Sequence, residues 1–154
     1  MDENFITVNP YKESERKHIS LSGIKESISH LKDGHPLGFF PAGSVSRLKF
    51  KKGRLVIQDR EWQDSVVRLI QKAKVPVIPI HIEFRNSIPF YATRFIHWTL
   101  QTVALCHELK NKNGKTMTLT IGNPISPEEI KLFKNTTGLG NFLREKTYEL
   151  AKKK

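Results

Sequence analysis

A chain of 154 residues, 38% hydrophobic and 27% charged, has the size of one domain with a real core. That composition excludes a disordered chain, and no stretch reaches the roughly 18 to 20 apolar residues of a membrane-crossing helix. The formal charge of +11 predicts attraction to anionic partners such as lipid headgroups, nucleic acid or phosphorylated substrates, without choosing among them.

The start, Met1-Asp2-Glu3-Asn4, is acidic and unlike a signal peptide. Phe5-Ile6-Thr7-Val8 alternates like a strand end and stops at Asn9-Pro10. A polar loop follows to His18. Leu21, Ile24, Ile28 and Leu31 then recur at helical spacing, which predicts a helix from about Ser20 to Asp33, with Ser20 or Ser22 as N-cap and Gly34 as the stop.

The stretch from Leu37 to Arg47 organises the rest. Leu37-Gly38-Phe39-Phe40 is a short apolar run and reads as a buried strand. Pro41-Ala42-Gly43-Ser44 breaks it and turns backbone N–H groups outward, where open α/β sheets bind ligands. The plainer reading is a strand and an ordinary loop. Cations cluster directly afterwards at Arg47, Lys49, Lys51, Lys52 and Arg54, in a segment, Leu48 to Gln58, expected to be a loop with a short apolar piece.

A second helix is expected from Asp59, as cap, to Lys74, with Trp62, Val66, Leu69, Ile70 and Ala73 inward. Val75 to Ile82 is an apolar strand whose two prolines place it at an edge or bulge. Pro89 to Leu109 reads as broken helix, and Lys112 to Lys115 as a turn. The only cysteine, Cys106, excludes an internal disulfide and suits a small core or half-buried residue. Thr116 to Ile121 alternates as a strand. Ser126-Pro127-Glu128-Glu129 has cap, proline and acid in helix-start order, and a last helix covers Leu139 to Lys152. The whole reads as one α/β domain over residues 1–154, with a mostly parallel sheet flanked by helices.

In this order the blocks resemble a known family. Phe40-Pro41-Ala42-Gly43-Ser44-Val45-Ser46 is similar to the Phe-Pro-Glu-Gly-Thr-Arg-Ser block of the PlsC-like glycerolipid acyltransferases. Val75-Pro76-Val77-Ile78-Pro79 resembles that family's downstream Val-Pro-Val-x-Pro block, and Gly122-Asn123-Pro124-Ile125 its C-terminal segment. Ile6 to Pro10 followed by Arg16-Lys17 resembles its second block, where an arginine helps hold phosphate. The Phe-Pro-Ala-Gly-x-Val-Ser variant is nearest to the haemolysin-like bacterial branch.

The resemblance implies a glycerol-3-phosphate acyltransferase-like fold and acyl transfer from acyl-CoA or acyl-carrier protein, with no further cofactor. The acceptor would be a lysophospholipid or a related hydroxyl. It implies substrate contacts from Arg16, Pro41, Gly43, Ser44, Ser46 and Arg47, with Arg47 standing in for the charge that Val45 does not supply. Implied partners are the acceptor phospholipid, the acyl donor and an anionic membrane surface at the cytoplasmic face of the cell membrane.

The departures carry as much weight. Ala42 stands where a glutamate is usual and Val45 where an arginine is usual. The family's His-x-x-x-x-Asp pair, in which the histidine is the general base and the aspartate orients it, is missing. None of His18, His30, His35, His81, His97 and His107 has an aspartate five positions later. The chain therefore reads as the C-terminal part of an acyltransferase domain, with no catalytic residue of its own and inactive alone. An N-terminal half is then a further expected partner, whether encoded separately, lost or omitted from the gene model.

Other chemistries find little support. No histidine pair has metal-ligand spacing, so no metal site is expected. Gly43 to Ser46 is neither a P-loop nor a hydrolase elbow. His35 at a strand entry and His81 in a polar pocket read as structural. The second reading is a non-catalytic remnant or basic module on anionic lipid or nucleic acid. No aromatic-interleaved basic motif favours nucleic acid.

Overall fold

The computed structural model describes residues 17–51, 53–83, 85–96 and 98–152. The expected first strand, Phe5 to Val8, and Arg16 lie outside them. Helix α1 (Lys17–Lys32) begins upstream of Ser20 and Ser22, so neither serine is its cap. It ends where expected. Gly34 N–H donates to the Leu31 carbonyl at 3.2 Å and His35 N–H to the His30 carbonyl at 3.1 Å, the paired closure of a Schellman turn.

The inward face of α1 differs from the expected stripe. From residue 23 on, Gly23 and Ser27 are the buried positions, while Ile24, Ile28 and Leu31 are half-buried; the Leu21 side chain lies outside the described residues. Helix α1 packs against helix α2 (Asp64–Ala73). The Ser27 hydroxyl donates to the Gly23 carbonyl at 2.7 Å, so its burial leaves no donor unmet.

Leu37 to Phe40 is not a strand. It has no ladder partner among the described residues, and Phe40 is 79% exposed. Beyond it, where a loop was expected, β1 (Arg47–Lys51) and β2 (Arg54–Gln58) form an antiparallel hairpin. Leu48, Phe50, Leu55 and Ile57 share one face in its register; Lys49, Lys51 and Arg54 lie on the other. α2 starts at Asp64 with Gln63 as N-cap, so Asp59 does not cap it.

Strand β3 (Ile80–Glu83) pairs antiparallel with β4 (Thr118–Ile121). The broken helix between them is a helical hairpin, α3 (Ile88–Ile96) and α4 (Trp98–Asn111). Two helices return the chain to the end it left, so β4 comes back antiparallel. A single crossover helix would have given a parallel neighbour. The mostly parallel sheet is thus not among the described pairings, which are all antiparallel.

The approach to β3 fits its prolines. Only Val77 bridges, to Ile125, and Gly122 N–H donates to the Pro79 carbonyl at 2.9 Å. A Cβ on Gly122 would lie 2.9 Å from Pro79 Cγ and 3.2 Å from both methyls of Leu150. Only glycine allows three segments to pack this closely. Helix α5 (Pro127–Lys131) opens with a capping box. Glu129 N–H donates to Ser126 Oγ at 3.2 Å, and Ser126 N–H to the Glu129 carboxylate at 3.0 Å. Helix α6 (Thr136–Glu149), capped by Asn135, begins earlier than expected and runs into a 3-10 turn, Leu150–Lys152.

The core lies where α2, α5 and α6 meet. Val67, Ile70, Ile125, Ile130, Leu139 and Leu143 are buried there, with Trp62, Val66, Val77, Phe133 and Phe142 packed around them. Each fully buried aliphatic side chain contributes roughly 1.5 to 3 kcal/mol. Cys106 is exposed on α4 and takes no part in it.

Candidate functional site

Proline fixes the φ of the second residue of the Phe40–Gly43 turn. Gly43 N–H donates to the Phe40 carbonyl at 3.1 Å, and Gly43 itself has φ +61°, the left-handed region that favours glycine. The turn is pinned to the start of α2: Gln63 N–H donates to the Pro41 carbonyl at 2.9 Å. The Gln63 amide also lies over Gly43, its Nε2 1.8 Å from where a Cβ would stand. The turn therefore abuts the positive end of α2, which no side chain caps and where Asp64 occupies the first turn.

Of the substrate residues implied by the resemblance, Pro41 and Gly43 build this turn. Ser44 is exposed beside it. Ser46 is half-buried and its hydroxyl donates to the Asp59 carboxylate, so its proton is already committed. Arg47 is half-buried at the start of β1, opposite Gln58. Arg16 lies outside the described residues. The turn and the serine–aspartate pair thus stand at successive points of one loop, on either side of exposed Ser44 and Val45.

A polar cluster collects around Asp59. Its backbone N–H donates to the Tyr148 hydroxyl at 3.3 Å. Arg144 Nη2 donates to its carbonyl at 3.1 Å. The Arg144 guanidinium lies over the Tyr148 ring, 5.3 Å from its centroid, in cation–π geometry, and Arg144 Nε is a buried donor without a hydrogen-bond partner in this arrangement. The His81 ring packs 6.3 Å from that of Tyr148, as a structural partner. Burial raises the Tyr148 pKa above its ordinary value, so the phenol stays a neutral hydrogen-bonding group.

Arg144 and Tyr148 did not stand out in the sequence. Their signal is the four-residue spacing that puts both on one face of α6. No residue of this cluster forms a His–Asp pair, and what it offers chemically is donation and charge, not proton abstraction. A shallow cleft of about 210 Å³ opens elsewhere, between Gly122, Pro124, Glu129 and Lys146, and includes none of Pro41 to Arg47. Among the described residues, no three His, Cys, Asp or Glu side chains are gathered to hold a metal ion.

Comparison with known proteins points in one direction. Over 124 residues, 77% of this chain, the sequence is 31% identical to a lyso-glycine lipid O-acyltransferase of Phocaeicola vulgatus. Over 117 residues, 72% of the chain, it is 29% identical to a lyso-glycine lipid O-acyltransferase of Bacteroides thetaiotaomicron. The aligned parts cover 43% and 42% of those relatives, so the chain spans less than half the length of the curated proteins it matches. No family model and no solved structure matches the chain. The chain is thus similar, over about three quarters of its length, to two proteins named lipid O-acyltransferases.

Proposed function

We propose that this chain is the acceptor-handling part of a lipid O-acyltransferase of the PlsC-like class, in its haemolysin-like branch. The observation that carries the reading is the sequence similarity to two O-acyltransferases of lyso-lipids. The Phe40 to Arg47 block adds to it, because the block forms a turn at the open N-terminal end of a helix, an environment that favours an anionic or polar headgroup.

The reaction is acyl transfer from acyl-CoA or acyl-carrier protein to the hydroxyl of a lysolipid, at the inner face of the cell membrane. The hydroxyl oxygen attacks the thioester carbonyl, a C–O bond forms, the C–S bond breaks, and the thiolate leaves. The hydroxyl proton passes to a base and from it to the departing sulfur. Gly43 and the exposed Ser44 would receive the headgroup at the turn, and Arg47, half-buried at the start of β1, would supply a fixed positive charge. The base is the histidine of a His-x-x-x-x-Asp pair contributed from outside these 154 residues, since none of the six histidines here has that partner.

Acyl transfer to a lyso-glycine lipid or lysophospholipid, measured with acyl-CoA and with acyl-carrier protein, tests this. The chain alone should give none. Addition of a His-x-x-x-x-Asp segment encoded upstream should give turnover. Turnover by the chain alone would refute the argument about the base, and no turnover after complementation would refute the acyltransferase reading itself.

A further inference from the structure

We propose that the β1–β2 hairpin is an amphipathic ribbon that docks this protein onto an anionic lipid bilayer. The ribbon sorts its side chains by face. Leu48, Phe50, Leu55 and Ile57 project to one side, and the outer pair is left in solvent, Phe50 at 76% and Leu55 at 68% exposed. An aromatic and a leucine facing each other across a hairpin normally cover something. Among the described residues nothing lies over them, although Leu48 at the base is half-buried.

The other face decides the occupant. Lys49, Lys51 and Arg54 are all exposed, and residues 47–58 contain no Asp or Glu. A protein groove would satisfy the apolar face and leave these cations aside. A polyanion without an apolar phase would satisfy the cations and leave Phe50 and Leu55 in water. An anionic bilayer meets both at once. The apolar face enters the boundary between headgroups and acyl chains, and the long lysine and arginine stems bend over the edges of a two-strand ribbon to reach phosphates at the same level.

The two-residue turn suits such an approach. Gly53, at φ +75°, closes it between Lys51 and Arg54, so the end that meets the surface is narrow. The base of the hairpin is fixed to the body by the Ser46–Asp59 and Arg144–Asp59 hydrogen bonds. Docking by the hairpin would therefore also set the height of the Phe40–Gly43 turn above the bilayer. The choice of a bilayer over other partners rests on the lipid-substrate reading above, but the test below measures no acyl transfer and so stands or falls separately.

The test is co-flotation of the 154-residue chain with vesicles of phosphatidylcholine alone or with phosphatidylglycerol added. Binding is expected only with the anionic lipid, falling about tenfold or more in Phe50→Ser/Leu55→Ser and in Lys49→Gln/Lys51→Gln. A Phe50→Trp variant reports insertion directly, since brominated acyl chains should quench emission that the parent chain does not lose. Circular dichroism of each variant should match the parent. Undiminished binding by both double variants would overturn the hairpin assignment while leaving the lipid-substrate reading intact. Equal binding to both vesicle types, binding to single-stranded RNA with none to vesicles, or self-association abolished by Phe50→Ser would each overturn it as well.

Discussion

The Ser46 hydroxyl donates to the Asp59 carboxylate, closing the open end of the hairpin between them. Asp59 in turn takes a hydrogen bond from Arg144 and gives one to Tyr148, both on the last helix. A side chain at the end of the substrate-like block is thus coupled to the C-terminal helix through one residue. Removing Ser46 leaves a charged acceptor short of a donor, so Ser46→Ala should cost about 1 to 3 kcal/mol. In a cycle with Asp59→Asn, followed by urea denaturation, the two effects should be non-additive. Additive losses would mean that the pair does not act as a unit.

Gly43 is the second position where a single atom should matter. Alanine there must adopt φ +61° and push the Gln63 amide aside. The left-handed backbone alone costs roughly 1 to 2 kcal/mol for an ordinary residue. Gly43→Ala should lower the melting temperature more than Gly43→Asn, because asparagine tolerates this region better. Equal effects would show that the side-chain clash dominates.

The helical hairpin α3–α4 contains a titrating contact. The Glu108 carboxylate accepts from the Ser87 hydroxyl at 2.5 Å and from the Ser87 N–H at 2.9 Å, with Lys112 at 3.4 Å. The serine hydroxyl is the largest cause holding its pKa below the ordinary 4.5, against the opposing effect of burial. A lowered folded value means that the ionised form stabilises the fold. That stability is complete above the unfolded value and is lost as pH falls below it towards the folded one. Stability against urea should therefore drop on the acid side of 4.5, and Glu108→Gln should flatten that limb. An unchanged acid limb in the variant would assign the loss to other carboxylates.

Arg47 gives a functional prediction. In the complemented enzyme, Arg47→Ala should raise the KM for a phosphorylated acceptor with little change in kcat. The loss of one charge-assisted contact should be worth about tenfold. An unchanged KM would leave Arg47 as a residue of the hairpin base only.

What could be read from the sequence was what is local. The α5 capping box needs only Ser126 and Glu129, and it formed as written. The break between α3 and α4 was visible too, although not that it would reverse the direction of β4. The hairpin's signals are weak but present: Leu48 and Phe50 alternate with cations, and Lys52-Gly53 supplies a glycine for the turn. The run of positive charge masked the alternation. Asp59 has the residue type of a helix cap, but its partners are Ser46, Arg144 and Tyr148, the last two far along the chain. No periodicity reports a contact of that range. Gly23 and Ser27 carry no apolar periodicity, since small residues can be buried without belonging to an apolar stripe.

The β3–β4 pair shows what a close approach does. Ile80, Ile82, Leu119 and Ile121 all project from one side of it and are exposed, so that face adds little to hold the two strands in step, while His81 on the other side lies against Tyr148. A further constraint is the junction just outside the ribbon, where Gly122 meets Pro79 and Leu150. Gly122 thus works as an index pin for the strand pair. A bulky residue there should leave both strands paired but free to slide by a notch, and the outward isoleucines would then trade places with His81 and Thr120 against the last helix.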